Sequence, residues 1–242
     1  YYGTQYIFDP DAYCTEDGTM CVSEYNLPDP TEGNIALLCN NDYCSYEKDL
    51  KFLLRLQAYN VTEKGIKSWT YEELNDYDII ACYQSSSCKV AFNSPVYNQH
   101  TENRKPFLEI AGSRSAQAAQ AFEYIKKSSA SYGKPEFFTT SEDPIVQEFY
   151  GQTINVTKGV ANYFAIKEEN LMGTTDLADS GNNNGTIFFK IDEEIDHGNY
   201  VYIGWMPGVE IKGLTKQGKL ILNRTLKWLK DNNHPNNRLG DI

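Results

Sequence analysis

What this chain lacks narrows its function before any motif is read. No apolar run approaches the roughly 20 residues that a membrane-crossing helix requires, so no membrane span is expected. Basic clusters are missing too: Lys+Arg 22 against Asp+Glu 33 leaves a net charge of -11. Phosphate contact needs a basic face, which sets nucleic acid aside as a partner. Histidine is scarce, with only His100, His197 and His234 in 242 residues, so chemistry needing an imidazole base has few places to occur. No internal repeat or heptad pattern is present, and no signal peptide is visible; Tyr1 in place of a start methionine is expected of a processed chain. The remainder is ordinary globular composition, with 40% hydrophobic and 23% charged residues, enough chain for one large α/β domain or two small ones.

Cysteine and asparagine speak to compartment. The six cysteines fall as three close pairs, Cys14/Cys21, Cys39/Cys44 and Cys82/Cys88. An even count in local pairs points to disulfides and an oxidising environment. Four Asn-x-Thr sequons begin at Asn60, Asn155, Asn184 and Asn223. Their number is near what chance gives in a chain this rich in Asn, Ser and Thr, but their placement is more telling. Asn60 follows an amphipathic helix, Asn155 alternates with apolar Ile154 and Val156, Asn184 lies in a Gly/Asn loop, and Asn223 opposes the apolar face of the last helix. All four sites tolerate N-linked glycans. The expected location is extracellular or at the cell surface.

Three segments are expected. Residues 1–33 carry Cys14, Cys21 and the turn-rich Leu27-Pro28-Asp29-Pro30-Thr31-Glu32-Gly33, and they show no helix period. They are too short for a core of their own and read as an irregular N-terminal extension with strand character at Tyr1 to Phe8. From residue 34 to 231 strands and helices alternate. Ile35 to Cys39 is a short apolar run, as in a strand buried on both faces. A helix is expected over Tyr46 to Tyr59, then strands near Gly65–Trp69, Asp78–Tyr83 and Lys105–Gly112, and a helix from Ser113 to Lys127. The second half has strands without helices between them (Ile154–Thr157, Tyr163–Ile166, Thr186–Ile191, Tyr200–Trp205), hence an antiparallel addition. A closing helix, Thr215–Asp231, is expected to bury Leu220, Ile221, Thr225, Trp228 and Leu229; residues 232–242 form a polar tail. The fold class is α/β, a mostly parallel flavodoxin-like three-layer sandwich.

That order of elements resembles the class I glutamine amidotransferase-like domains, especially the ThuA-like and related extracellular versions. The segments that carry the resemblance are Asn34 to Leu38, Asn75 to Ile80, Pro106 to Gly112, Glu142 to Val146 and Gly198 to Trp205 with the following helix. The resemblance implies a nucleophilic Cys at the turn after the fourth strand, where a helix N-terminus lowers a thiol pKa. Ala111 occupies that position. The family's later His-x-Glu pair falls near Glu210, with no His there. Ser113 and Ser115 flank Arg114 on the same turn, and Ser113 reads as a helix cap. Thiol-based amidotransferase chemistry is therefore not expected.

In a flavodoxin-like order Cys39, Cys44, Cys82 and Cys88 gather at one carboxyl edge. Local disulfides, the crossed pairing Cys44–Cys88 with Cys39–Cys82, and a Zn²⁺ site all remain open there, with disulfides favoured over metal. The acidic runs Asp9-Pro10-Asp11, Asp29 to Glu32 and Asp192 to Asp196 lack EF-hand spacing and read as a solvated face. No cofactor and no metal are expected. The reading that follows is a non-catalytic glycoprotein with a structural role, a filament or surface-layer subunit self-associating through the extension. The alternatives are a secreted ThuA-like hydrolase using Asp42, Glu109 and His100, or a carbohydrate-binding protein using some of its 18 Tyr and 3 Trp.

Overall fold

A computed structural model describes residues 13–14, 21–22, 27–40, 44, 48–83, 86–110, 116–126, 130–133, 136–157, 163–180, 185–191, 197–204 and 214–232. Two short strands, β1 (Tyr13–Cys14) and β2 (Cys21–Val22), pair antiparallel with each other, Cys14 opposite Cys21. The main domain opens with β3 (Gly33–Cys39), α1 (Lys48–Leu56) and β4 (Tyr59–Gly65). It continues through α2 (Tyr71–Leu74), β5 (Ile79–Tyr83), α3 (Pro95–Thr101), β6 (Phe107–Ile110) and α4 (Gln117–Ala121). Then come β7 (Ala130–Gly133), β8 (Glu136–Thr139), β9 (Thr153–Asn155), β10 (Tyr163–Ile166) and β11 (Thr175–Ser180). The last elements are β12 (Thr186–Ile191), β13 (Tyr200–Ile203) and α5 (Lys216–Asp231).

Among the described residues the main sheet runs β4-β3-β5-β6-β13-β12-β11-β8-β9, with β10 joined to β12 and β7 joined to β10. The first five of these strands are parallel to one another, and the rest pair antiparallel. The mostly parallel sandwich with an antiparallel addition is therefore observed. Alternation along each strand builds its two faces. Ile35, Leu37, Ile79, Ala81, Leu108 and Ile110 face α1 and α5, meeting Leu50, Leu53 and Leu54 of the former and Ile221, Leu222, Leu226 and Leu229 of the latter. Ala36, Leu38, Ile80, Phe107, Tyr200 and Tyr202 face Leu74 of α2, Val96 of α3 and Ala118 and Ala119 of α4. Each such fully buried Leu or Ile contributes roughly 1.5–3 kcal/mol of apolar burial.

Several boundaries differ from the sequence expectation. The first helix ends at Leu56 rather than Tyr59, because Ala58 takes a left-handed turn (φ 60) and sends the chain into β4. Tyr59 and Val61 are then buried alternate positions of that edge strand, which replaces the strand expected near Gly65–Trp69. The helix expected over Ser113–Lys127 is described only as Gln117–Ala121, and Glu123 (φ 63) turns Tyr124 and Ile125 inward beyond it. Helix α5 is capped by Thr215, whose side chain accepts from Gly218 N. It buries Leu222 and Leu226 fully, while Leu220 and Trp228 are only partly covered. At the other end of the domain, Gly33 (φ +133) starts β3 where a Cβ would collide with the Asp78 carboxylate that accepts from Asn34 N.

Candidate functional site

Strand β6 ends at the turn where the resemblance places a nucleophile. Ala111, Ser113, Arg114 and Ser115 of that turn lie outside the described residues, as do Asp42, Asn184, Glu210 and residues 192–196. What the structure does describe is the carboxyl group just before it. Glu109 points to the α4 side of the sheet and is fully buried, with Cys82 of β5 and Tyr202 of β13 as its lateral neighbours. Its Oε1 accepts from Ala118 N at 3.2 Å and its Oε2 from Ala119 N at 2.9 Å. The Tyr200 hydroxyl also donates to Oε2. Burial pushes the Glu109 carboxyl up to about 7, against the opposing pull of donors from Tyr200, Ala119, Ala118 and Gln117. This group pins the start of α4 to the sheet and presents no atom to solvent.

Beside it is the disulfide Cys82–Cys88, and the local pairing Cys39–Cys44 holds as well; the crossed pairing is not formed. Sulfurs of Cys82 and Cys88 and a Glu109 oxygen lie within 4.8 Å of one another. With the two sulfurs joined to each other, Glu109 alone is left as a donor, so the set does not fit a tetrahedral metal. Both disulfides sit at the carboxyl ends of the neighbouring strands β3 and β5. Cys14 and Cys21 are described only as opposed backbone positions.

His100, one of the residues the hydrolase alternative would use, lies away from that edge. Its backbone carbonyl accepts from Gly198 N, and its Nδ1 is 2.7 Å from Lys105 O; both partners precede the starts of β6 and β13. A carbonyl only accepts, so Nδ1 carries the proton and Nε2 accepts from the Tyr124 hydroxyl at 2.7 Å. The Tyr124 oxygen is then left to accept from His197 Nδ1 at 3.2 Å. Complete burial holds His100 down at about 3, so the ring is neutral, and the nearby His197 adds to that depression. Tyr200 stands between the two groups, its ring 4.9 Å from Tyr124 and 6.1 Å from His100. Glu109 and His100 are thus joined through one aromatic core layer with Phe107 and Phe122, and both are sealed from solvent.

The described sequon asparagines are all on the surface. Asn60 is exposed on β4 and Asn155 is exposed on β9, the two ends of the strand path. Asn223 is exposed on α5, its Nδ2 donating to Gln57 Oε1 at 2.5 Å. In the acidic stretch before β3, Asp29 and Glu32 are exposed, as expected of a solvated face.

One charged pair escaped the sequence reading. Lys190 of β12 is nearly buried and 2.7 Å from Asp143, which also accepts from Ile145 N at 2.9 Å. A lysine inside Ile187-Phe188-Phe189-Lys190-Ile191 was the available signal, since a charge in an apolar strand needs a partner.

Solved structures share this architecture. A ThuA-like protein from Bacteroides uniformis superposes with a TM-score of 0.57 at 8% identity, covering 86% of this chain and 95% of that one. PurLQS from Thermotoga maritima gives 0.55 at 12% identity, over 83% of this chain and 100% of that chain. A GMP synthase component from Thermoplasma acidophilum gives 0.51 at 14% identity, over 82% and 94%. No family model matches the sequence, and no curated protein sequence does. The fold is that of the class I glutamine amidotransferase-like, flavodoxin-like α/β domains. At these identities the likeness concerns the fold alone.

Proposed function

We propose that this chain is a non-catalytic extracellular glycoprotein with a structural role, a building block that assembles into a filament or surface layer. The carrying observation is the isolation of the N-terminal hairpin. Among the described residues β1 and β2 pair only with each other and add nothing to the main sheet. A segment outside its own sheet is free to pair with a neighbour's. Thr31 N and Glu32 N both donate to Ala58 O, so the extension is tethered to the domain just before β3.

The sheet's termini support this reading. Strands β4 and β9 each carry an exposed sequon asparagine, Asn60 and Asn155, and a glycan at either blunts open-ended pairing there. Among the described residues strand β7 ends the branch through β10 and contains no sequon, and it is the edge this reading assigns to an incoming strand. Two buried disulfides fit the oxidising compartment that N-linked glycosylation requires. The enclosure of Glu109 and His100 favours a packing role for both over the hydrolase reading.

Light scattering on the full chain and on a chain lacking residues 1–26 tests the proposal. The full chain is expected to be larger than a monomer and the truncated chain to be a folded monomer. Two monomers would overturn it. A second reading, saccharide binding, is favoured by a groove beside Trp228.

A further inference from the structure

At the opposite edge of the sheet from the β6 turn, α5, β12 and the Asp143–Ile145 turn line an open-sided cavity of about 500 Å³. Its walls include Asp143, Ile145, Lys190, Arg224, Trp228 and Asn232. That volume is within the roughly 300–1,000 Å³ of small-molecule sites. We propose that this cavity is a binding site for a neutral pyranose saccharide of one or two rings.

Charge pairing identifies the ligand class. The Lys190 ammonium is 2.7 Å from the Asp143 carboxylate and 4.5 Å from the centre of the Trp228 ring. Lys190 and Asp143 side chains are only 8% and 9% exposed, so this is a preformed polar wall and not a mobile surface pair. Arg224 Nη2 is 2.6 Å from Glu148, and its Nη1 reaches Ile145 O at 3.5 Å. Lys190 and Arg224 are thus each balanced by an anion, and the remaining charged lining residues, Lys227 and Asp231, are of opposite sign. An anion or a cation entering here meets no net field and competes with a pair already made. A neutral polyol does not. Its hydroxyls both donate and accept, so they add to the unused lone pairs of Asp143 and the unused N–H groups of Arg224 while both ion pairs persist. The apolar C–H face of a pyranose matches the wall of Trp228, Ile145 and Pro144. Helix α5 places Arg224 and Trp228 one turn apart on one stripe, and the Asp143-Pro144-Ile145 turn closes the other side. The site stands apart from the assembly reading, and failure of either leaves the other untouched.

Trp228 supplies the readout. Nitrogen–proton NMR of the full chain resolves tryptophan indole signals, and Trp228→Phe assigns the one that matters. Buried Trp69, far from the cavity lining, reports intact folding. The probes are cellobiose, maltose, lactose, mannobiose and chitobiose, with phosphate and citrate as anionic arms. At least one neutral disaccharide is expected to shift the Trp228 signal saturably, and Arg224→Met to weaken that binding about tenfold with the Trp69 signal unchanged. No shift by any disaccharide at 100-fold excess (about 100 to 1 over protein, where a Kd near the protein concentration saturates) overturns the proposal. So does a shift caused by the anions alone, or saccharide binding that Arg224→Met leaves as it was.

Discussion

The Tyr200 hydroxyl donates to Glu109 across the parallel β6–β13 pair, from a residue level with Phe107 to a carboxyl two positions further along the neighbouring strand. This diagonal bond joins residues 91 apart in sequence and lies entirely inside the core. It gives a carboxyl group a permanent place in an aromatic layer, and it ties that layer's ionisation to the packing of α4 through Ala118 and Ala119.

A carboxyl raised from 4.5 to about 7 by folding leaves a definite mark on stability. Between those values the native chain holds a proton that the unfolded chain has released. Stability contributed by Glu109 is therefore complete below about pH 4.5 and is lost as pH rises toward 7. Urea unfolding of Glu109→Gln beside the parent chain should show the difference between them changing by roughly 3 kcal/mol over this window, in the direction of relatively less loss in the variant at higher pH. A pH-independent difference would mean that the carboxyl does not titrate in that range.

His100 acts with the opposite sign. Its folded pKa of about 3 is below the ordinary 6.5, so the unfolded chain binds the extra proton between those values and stability climbs as pH rises from 3 to 6.5. His100→Asn should flatten that acid limb, whatever it costs at neutral pH through the lost bond to Tyr124. Between about 4.5 and 6.5 the parent's two slopes cancel, and removing one residue exposes the other's. Unfolding midpoints at a series of pH values in the two single variants would reveal this.

The Lys190–Asp143 pair should behave as a unit. Lys190→Met alone removes the cation beside the nearly buried Asp143 carboxylate and is expected to cost about 3–5 kcal/mol; Asp143→Asn alone is expected to destabilise as well. The combined Lys190→Met/Asp143→Asn change should recover much of this, giving a coupling well above 1 kcal/mol. Additive losses, measured by denaturant unfolding, would show the two side chains to be independent.

How much of the fold is legible in the sequence depends on the element. Ile35 to Cys39 and Ile79 to Tyr83 are readable as strands because both faces are buried, and an apolar run needs no partner to announce itself. Strand β4 is not, because Tyr59-Asn60-Val61-Thr62-Glu63 is half polar and follows a helix whose stop is a left-handed Ala58 instead of a glycine. Strand β8 is short, and the β11 run Thr175-Asp176-Leu177-Ala178-Asp179-Ser180 carries two aspartates, which accept from the hydroxyls of Thr174 and Thr186 and break its alternation. The local cysteine pairs can be seen from spacing. The burial of Glu109 cannot, since its partners Tyr200, Ala118 and Ala119 come from other elements. The placement of His100 near the amino ends of the strands is not legible either, because the helix that carries it, Pro95–Thr101, is too short and polar to show a period.

Each disulfide closes a small loop, of separation 5 for Cys39–Cys44 and 6 for Cys82–Cys88. Loop-closure entropy for rings of this size is worth roughly 2 kcal/mol each. Peptide mapping under non-reducing conditions should return these two local linkages. The paired change Cys82→Ala/Cys88→Ala should lower stability by about that amount while leaving a folded chain. Recovery of Cys39–Cys82 or Cys44–Cys88 peptides would contradict the pairing.

Electron microscopy of the full chain tests the central claim most directly. Ordered filaments or sheets are expected for the full chain, and they should disappear when residues 1–26 are removed. A field of single, separate particles of the full chain, unchanged by that removal, would contradict it.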